Sequence, residues 1–182
     1  MAIASLPDHI KVFPDALSRS ECEDLIERFD SSSDHVVCQQ ESGHSFVKVD
    51  VTRHWPDQHK ILVPIFLSHF NRYQQATNAR FWPPRFSFEN LQLKRYLPNG
   101  RDSFPPHVDV MNHAAARRFM TAILYLNSPS GGETIFPSLD ISVAPESGKL
   151  IAFPPLWLFP HAGLPPKSMP KYILHTYLCY PE

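Results

Sequence analysis

Nineteen prolines against six glycines in 182 residues constrain this chain more than any other feature. Proline lacks a backbone N–H and has a fixed φ, so it breaks helix interiors and central strands. So many of them leave room only for short regular elements joined by stiff, ordered loops. Several stand in doublets beside aromatics, at Trp82-Pro83-Pro84, Phe104-Pro105-Pro106, Phe153-Pro154-Pro155 and Pro165-Pro166. The interleaved apolar side chains argue for rigid walls rather than a flexible linker. With 43% apolar and 19% charged residues, the chain suits one domain with a sizeable core, and no internal repeat or boundary divides it.

The regular elements come in two blocks. Residues 1–80 read mainly as supporting helices. Ser18 with Glu21 signals a capping box, and Cys22, Leu25, Ile26 and Phe29 follow at helical spacing. A second stripe runs through Leu62, Ile65, Phe66, His69, Phe70 and Tyr73, with Pro64 expected in the first turn of its helix. His69 on that stripe reads as a packed core histidine. From about residue 88 to 180 the periodicity changes to two. Short strands are expected near 107–110, 117–127, 134–136, 140–143, 149–153 and 171–179. Asn99-Gly100 reads as a turn, Gly131-Gly132 as a hairpin turn, and Pro145-Glu146-Ser147-Gly148 as a further break. Such spacing argues for an all-β core with flanking helices, a sandwich or jelly roll, with the helices against one sheet.

Charge and cysteine content exclude several functions. A formal net charge of −1 gives no general attraction to nucleic acid or anionic lipid. Arg80, Arg85, Lys94, Arg95 and Arg101 read as solvated strand and loop faces rather than a nucleic-acid patch. Three scattered cysteines, Cys22, Cys38 and Cys179, make neither a disulfide framework nor a thiolate zinc site. No signal peptide or membrane span is apparent, so a cytoplasmic protein without membrane partners is expected. Oligomeric state is not readable from sequence.

One constellation carries chemistry. His107-Val108-Asp109 would project an imidazole and a carboxylate from one face of a strand. Alone the pattern is weak: ten histidines and ten aspartates make an HxD arise in on the order of one such chain in two. His161 lies 52 residues on, at the end of a proline-punctuated apolar stretch, with Ala162-Gly163 after it allowing close backbone approach. Two imidazoles and one carboxylate form a facial triad that leaves metal positions open, as an iron oxygenase needs. A structural metal site would be closed.

Here the residues resemble a known family. Arg95-Tyr96, Asn99-Gly100 and His107-Val108-Asp109 match the prolyl-4-hydroxylase-like 2-oxoglutarate/Fe(II)-dependent dioxygenases. So do Arg118 to Asn127, Gly131-Gly132-Glu133-Thr134 to Pro137, Val143-Ala144-Pro145, Gly148 to Phe153, His161-Ala162-Gly163 and Lys171-Tyr172. The stretch 31–87 matches least. The resemblance implies a double-stranded β-helix, iron held by His107, Asp109 and His161, and Lys171 pairing with the distal carboxylate of 2-oxoglutarate. It places Tyr125 and Tyr96 at cosubstrate-side tyrosine positions. Periodicity adds Thr121 on the face of Tyr125 and His175 on the face of Lys171.

The activity implied is hydroxylation of a C–H bond with release of succinate and carbon dioxide, ascorbate serving as an optional reductant. Asp109 favours hydroxylation, since halogenating relatives lack that carboxylate. A peptidyl proline, a free amino acid and another small metabolite are all open as substrates. Residues 153–170 are expected beside His161 as pocket rim or core cap, with Trp157 and Phe159 as candidate substrate contacts. A cupin-like metal protein without oxygenase activity, and an idle interaction module, remain as other classes. The first has no need of Lys171 and Tyr125; the second predicts an eroded triad.

Overall fold

The capping box announced by Ser18 and Glu21 forms. The Glu21 N–H donates to Ser18 Oγ at 3.3 Å and the Ser18 N–H to Glu21 Oε2 at 2.8 Å, which starts α1 (Arg19–Ser31). A cap of this kind is worth about 1 kcal/mol. In this computed structural model, which describes residues 5–39 and 45–181, two further helices follow, α2 (Val51–His54) and α3 (Pro56–Ala76). Cys22, Leu25 and Phe29 of α1 and Leu62, Phe66, Phe70 and Tyr73 of α3 form one buried stripe.

That stripe covers the outer face of a sheet of eight strands. Its order is β1 (Lys11–Phe13), β10 (Leu150–Phe153), β7 (Arg118–Tyr125), β12 (Lys171–Cys179), β5 (Gln92–Tyr96), β3 (Ser45–Asp50) and β2 (Val36–Gln39), and β4 (Ser87–Phe88) adds to β12. A smaller sheet runs β6 (Phe104–His107), β11 (His161–Gly163), β8 (Thr134–Phe136) and β9 (Ile141–Val143). All pairings within the two sheets are antiparallel.

Strand alternation sorts the larger sheet's residues between two cores. Ala122, Leu124, Leu150, Ala152, Leu174 and Leu178 meet the helices. Ile123, Tyr125, Ile151, Phe153 and Ile173 turn inward to Phe136 and Val143 of the smaller sheet. Each fully buried large apolar side chain contributes roughly 1.5–3 kcal/mol, so both layers matter to stability. The result is an all-β core with flanking helices, the double-stranded β-helix. No described helix is long and apolar enough to cross a membrane, and Cys22, Cys38 and Cys179 are free thiols.

Several expectations need correction. The helix of Pro64 begins at Pro56, so Pro64 is interior rather than first-turn. It is exposed, and so is Lys60, whose carbonyl loses its intrahelical donor to proline; water can satisfy that group. The strand expected at 107–110 instead ends at His107. Gly131-Gly132 does not close a hairpin, because β7 and β8 lie in different sheets. Both residues have positive φ, which lets the chain turn sharply from one sheet to the other. The short pieces β1, β2, β3 and β11 carried no readable pattern. His69 is buried as expected, its Nδ1 bonded to the Ile65 carbonyl at 2.8 Å.

Gly148 locks the sheet to the entry of α1. Its φ is +79°, its N–H donates to Tyr125 O, its carbonyl accepts from Ala16, and a Cβ there would overlap the Leu17 carbonyl oxygen. Gly100 has a similar φ of +73° but open space around it. Gly148→Ala is expected to cost roughly 2–4 kcal/mol in urea unfolding, and Gly100→Ala only about 1–2. Equal losses in the two variants would show that the close approach to Leu17 does not matter.

Candidate metal centre and cosubstrate pocket

The pairing of β6 with β11 puts His161 directly opposite His107, with ring centroids 4.3 Å apart. Fifty-two residues of separation are thus erased by one cross-strand contact. Asp109 arrives differently, from the turn that follows β6. Three contacts hold that turn: Val110 N–H to Pro155 O at 3.2 Å, Arg118 Nη1 to Asp109 O at 3.2 Å, and Tyr177 Oη to Asp109 Oδ1 at 2.7 Å. Same-face projection from a strand is therefore not what aligns His107 with Asp109. The ligand atoms of His107, Asp109 and His161 all lie within 4.8 Å of one another, the single such group of three among the described residues.

Their protonation explains why a cation belongs there. His107 Nδ1 donates to Pro105 O at 2.9 Å and His161 Nδ1 to Phe159 O at 3.1 Å. A neutral ring with its proton on Nδ1 presents a bare lone pair at Nε2. Those two Nε2 atoms lie 3.4 and 3.8 Å from the Asp109 oxygens, so lone pairs face a carboxylate with no proton between them. Asp109 is buried, which works against its charge, while the Tyr177 hydroxyl donates to its Oδ1 and favours the carboxylate. Its Oδ2 is buried with no hydrogen-bond partner among the described residues. A divalent cation satisfies the two Nε2 atoms and Oδ2 at once. The donor set of two imidazoles and one carboxylate suits iron(II).

The pocket beside the triad is a narrow cavity of about 60 Å³ that opens to solvent. Lys171 on β12 reaches its wall from a buried position. Its ammonium donates to the Gly132 carbonyl at 3.0 Å and sits 4.7 Å from the centroid of the Tyr96 ring. Among the described residues no carboxylate lies within ion-pair distance of it. Burial pushes its pKa down to about 8, and Glu133 opposes that shift. Tyr125 lines the same wall and donates to Thr134 Oγ1 at 2.6 Å. Gly132 suits this corner, because a Cβ there would stand 3.0 Å from Lys171 Cδ.

The remaining sequence candidates separate cleanly. Tyr96 and His175 line the pocket. Thr121 does not; it stands behind His175, its Oγ1 3.1 Å from His175 Nε2. Trp157 is 74% exposed and is not part of the pocket lining. Phe159 is packed in the inner core, so at that position the segment acts as a cap. Sequence reasoning missed Tyr177, Arg118, Thr134 and Lys94. Tyr177 shares strand parity with Lys171 and His175, a signal that was available. Arg118 pairs with Glu89 and lies over the Tyr177 ring at 4.0 Å. Lys94, expected on a solvated face with the other cations, instead lines the pocket.

Tyr177→Phe tests the support given to Asp109. Loss of that hydroxyl is expected to weaken iron(II) affinity about 10–100-fold in a chelator competition, with unfolding of the metal-free protein little changed. Unchanged affinity would mean that Asp109 is oriented without Tyr177.

Comparison with known proteins agrees with this geometry. The family model described as the 2OG-Fe(II) oxygenase superfamily matches residues 91–179, the stretch that holds every residue of the pocket. No curated protein sequence matches the chain. Among solved structures, a viral collagen prolyl hydroxylase from Paramecium Bursaria Chlorella virus-1, in its 2OG complex, is 23% identical with a TM-score of 0.68, covering 96% of this chain and 97% of that one. A Pseudomonas putida prolyl-4-hydroxylase is 18% identical with a TM-score of 0.69, covering 94% and 93%. A Trichoplax adhaerens prolyl hydroxylase, in complex with a hypoxia inducible factor oxygen degradation domain peptide fragment, is 14% identical at 0.71, covering 94% and 84%. At these identities the structures speak for the shared fold, and the matched motifs speak for the chemistry. Residues 91–179 are similar to the 2OG-Fe(II) oxygenase superfamily, and that match together with the prolyl hydroxylase neighbours supports a 2-oxoglutarate-dependent dioxygenase.

Proposed function

We propose that this enzyme hydroxylates a C–H bond of an organic substrate while 2-oxoglutarate is converted to succinate and carbon dioxide. One observation carries the reading. Two imidazoles and a carboxylate within 4.8 Å of one another share one pocket with a buried lysine that has no carboxylate within ion-pair distance among the described residues. A metal site alone would need no such lysine, because a buried ammonium without a counter-charge is costly.

In this reading His107, Asp109 and His161 hold iron(II). Lys171 binds the distal carboxylate of 2-oxoglutarate, and the Tyr125 hydroxyl, on exchanging its bond to Thr134 Oγ1 for that carboxylate, supplies a second donor, useful because a lysine is a point charge rather than a fork. The bound metal and cosubstrate supply the oxidising chemistry. The chain's own residues orient those partners and keep the reacting centre dry, the inner core of Phe136, Phe153 and Phe159 excluding water behind His161. The three solved neighbours described above are prolyl hydroxylases and one holds a peptide, so a prolyl residue is the first substrate class to test and a free amino acid the second.

Anaerobic addition of iron(II) and 2-oxoglutarate is expected to give the metal-to-ligand charge-transfer absorption of a chelated complex. His107→Ala should abolish it. Lys171→Met should raise the Kd for 2-oxoglutarate at least about tenfold, roughly 1.4 kcal/mol, and leave metal affinity unchanged. Absence of the band in the wild type, or full 2-oxoglutarate affinity in Lys171→Met, sinks the assignment.

A further inference from the structure

A second cation enters the same pocket, and the oxygenase reading gives it nothing to do. Lys94 on β5 points inward beside His175. Its Nζ lies 3.2 Å from His175 Nδ1, while His175 Nε2 lies 3.1 Å from Thr121 Oγ1. An ammonium has only donors, so Nδ1 must accept and the ring proton must sit on Nε2, donating to Thr121. His175 is therefore neutral and serves as a brace, and among the described residues only one of the three Lys94 N–H donors is used. The rings of Phe46 and Phe104 flank the ammonium, with centroids 5.4 and 5.8 Å away.

Its surroundings make the charge costly as it stands. Lys48 on β3 is the cross-strand partner of Lys94, so two like charges sit directly opposite on one face of the sheet. Among the described residues neither lysine has a carboxylate within ion-pair distance. Burial pushes the Lys94 pKa down to about 8, Asp109 opposes this, and Lys48 adds to it. Leaving the partly exposed Lys48 aside, the charges around the pocket are otherwise matched. Iron(II) and Lys171 bring three positive charges; Asp109 and 2-oxoglutarate bring three negative ones. Lys94 is left over once metal and cosubstrate are bound.

We propose that Lys94 is a specificity-determining residue that receives a carboxylate of the primary substrate, so that the molecule oxidised is an organic acid rather than a neutral peptidyl residue. The inference rests on the oxygenase reading above. The distal carboxylate of 2-oxoglutarate is assigned there to Lys171 and its keto-acid end would chelate the metal, which leaves the substrate as the source of a third carboxylate. Lys48, toward the sheet's end, adds to the field that draws an anion in.

The test is a calorimetric titration of the full chain loaded with manganese(II), which is inert to turnover, and with 2-oxoglutarate. The probes are the common free L-amino acids, their neutral α-amides, and a capped prolyl peptide. At least one acid is expected to bind about tenfold tighter than its amide. Lys94→Met should erase that preference while the 2-oxoglutarate Kd stays within about twofold, which also reports a folded pocket, and Lys94→Arg should restore part of it. Four results would overturn the proposal: no acid in the panel binding, acid and amide binding alike, the capped peptide binding equally well to wild type and Lys94→Met, or Lys94→Met losing about tenfold in 2-oxoglutarate affinity. The last result would assign the carboxylate to the cosubstrate. A wild type that takes up no 2-oxoglutarate would refute the oxygenase reading, and this one with it.

Discussion

Two imidazoles and a carboxylate face one another across a gap with no proton to share, and much of this fold serves to keep them so. The β6–β11 pairing sets His107 against His161. Two backbone carbonyls, of Pro105 and Phe159, take the Nδ1 protons and so fix which nitrogen faces inward. Each of these carbonyls lies two residues before its histidine, so each strand supplies both ligand and brace. Tyr177 and Arg118 then pin the turn that carries Asp109. Water would readily relax such a cluster. Burial prevents that, and the repulsion left inside the protein becomes affinity for a cation.

β12 ties this site to the rest of the molecule. One face of the strand holds Lys171, Ile173, His175 and Tyr177 toward the pocket. The other holds Tyr172, Leu174 and Leu178 against the helices. All nine of its residues are buried. The proline-rich loops complement this strand: Pro155 anchors the Asp109 turn through its carbonyl, and Pro165 accepts from the Gly132 N–H beside Lys171.

Much of this was legible in the sequence, but unevenly. The long strand 171–179 and the α1 cap were readable because each depends on local chemistry: a run rich in aromatic and β-branched residues in one case, a serine and a glutamate three apart in the other. The triad was named through ordered motifs, and the geometric reason first offered for it was wrong, since Asp109 lies off the strand. Lys94 was misread for a physical reason. A lysine alternating with Leu93 on a half-buried strand looks solvated until a second sheet is known to close over it. Pro64 misled because a rule about helix interiors assumes that the freed carbonyl is buried, and here it borders solvent. The register between β6 and β11 joins two short segments whose composition says nothing about each other.

The partition made by the larger sheet has a consequence for how such a catalyst can diversify. β7, β10 and β12 have no idle side, so a change in any of them disturbs either the helix layer or the reacting centre. The β2–β3 ribbon at the sheet's end is held less tightly, with Val36 and Val37 of β2 exposed and only Val49 of β3 fully buried against the helix layer, yet its inward residues Phe46 and Lys48 bear on Lys94. A lineage could therefore exchange that ribbon and acquire a new clientele of molecules while inheriting its oxidising machinery untouched.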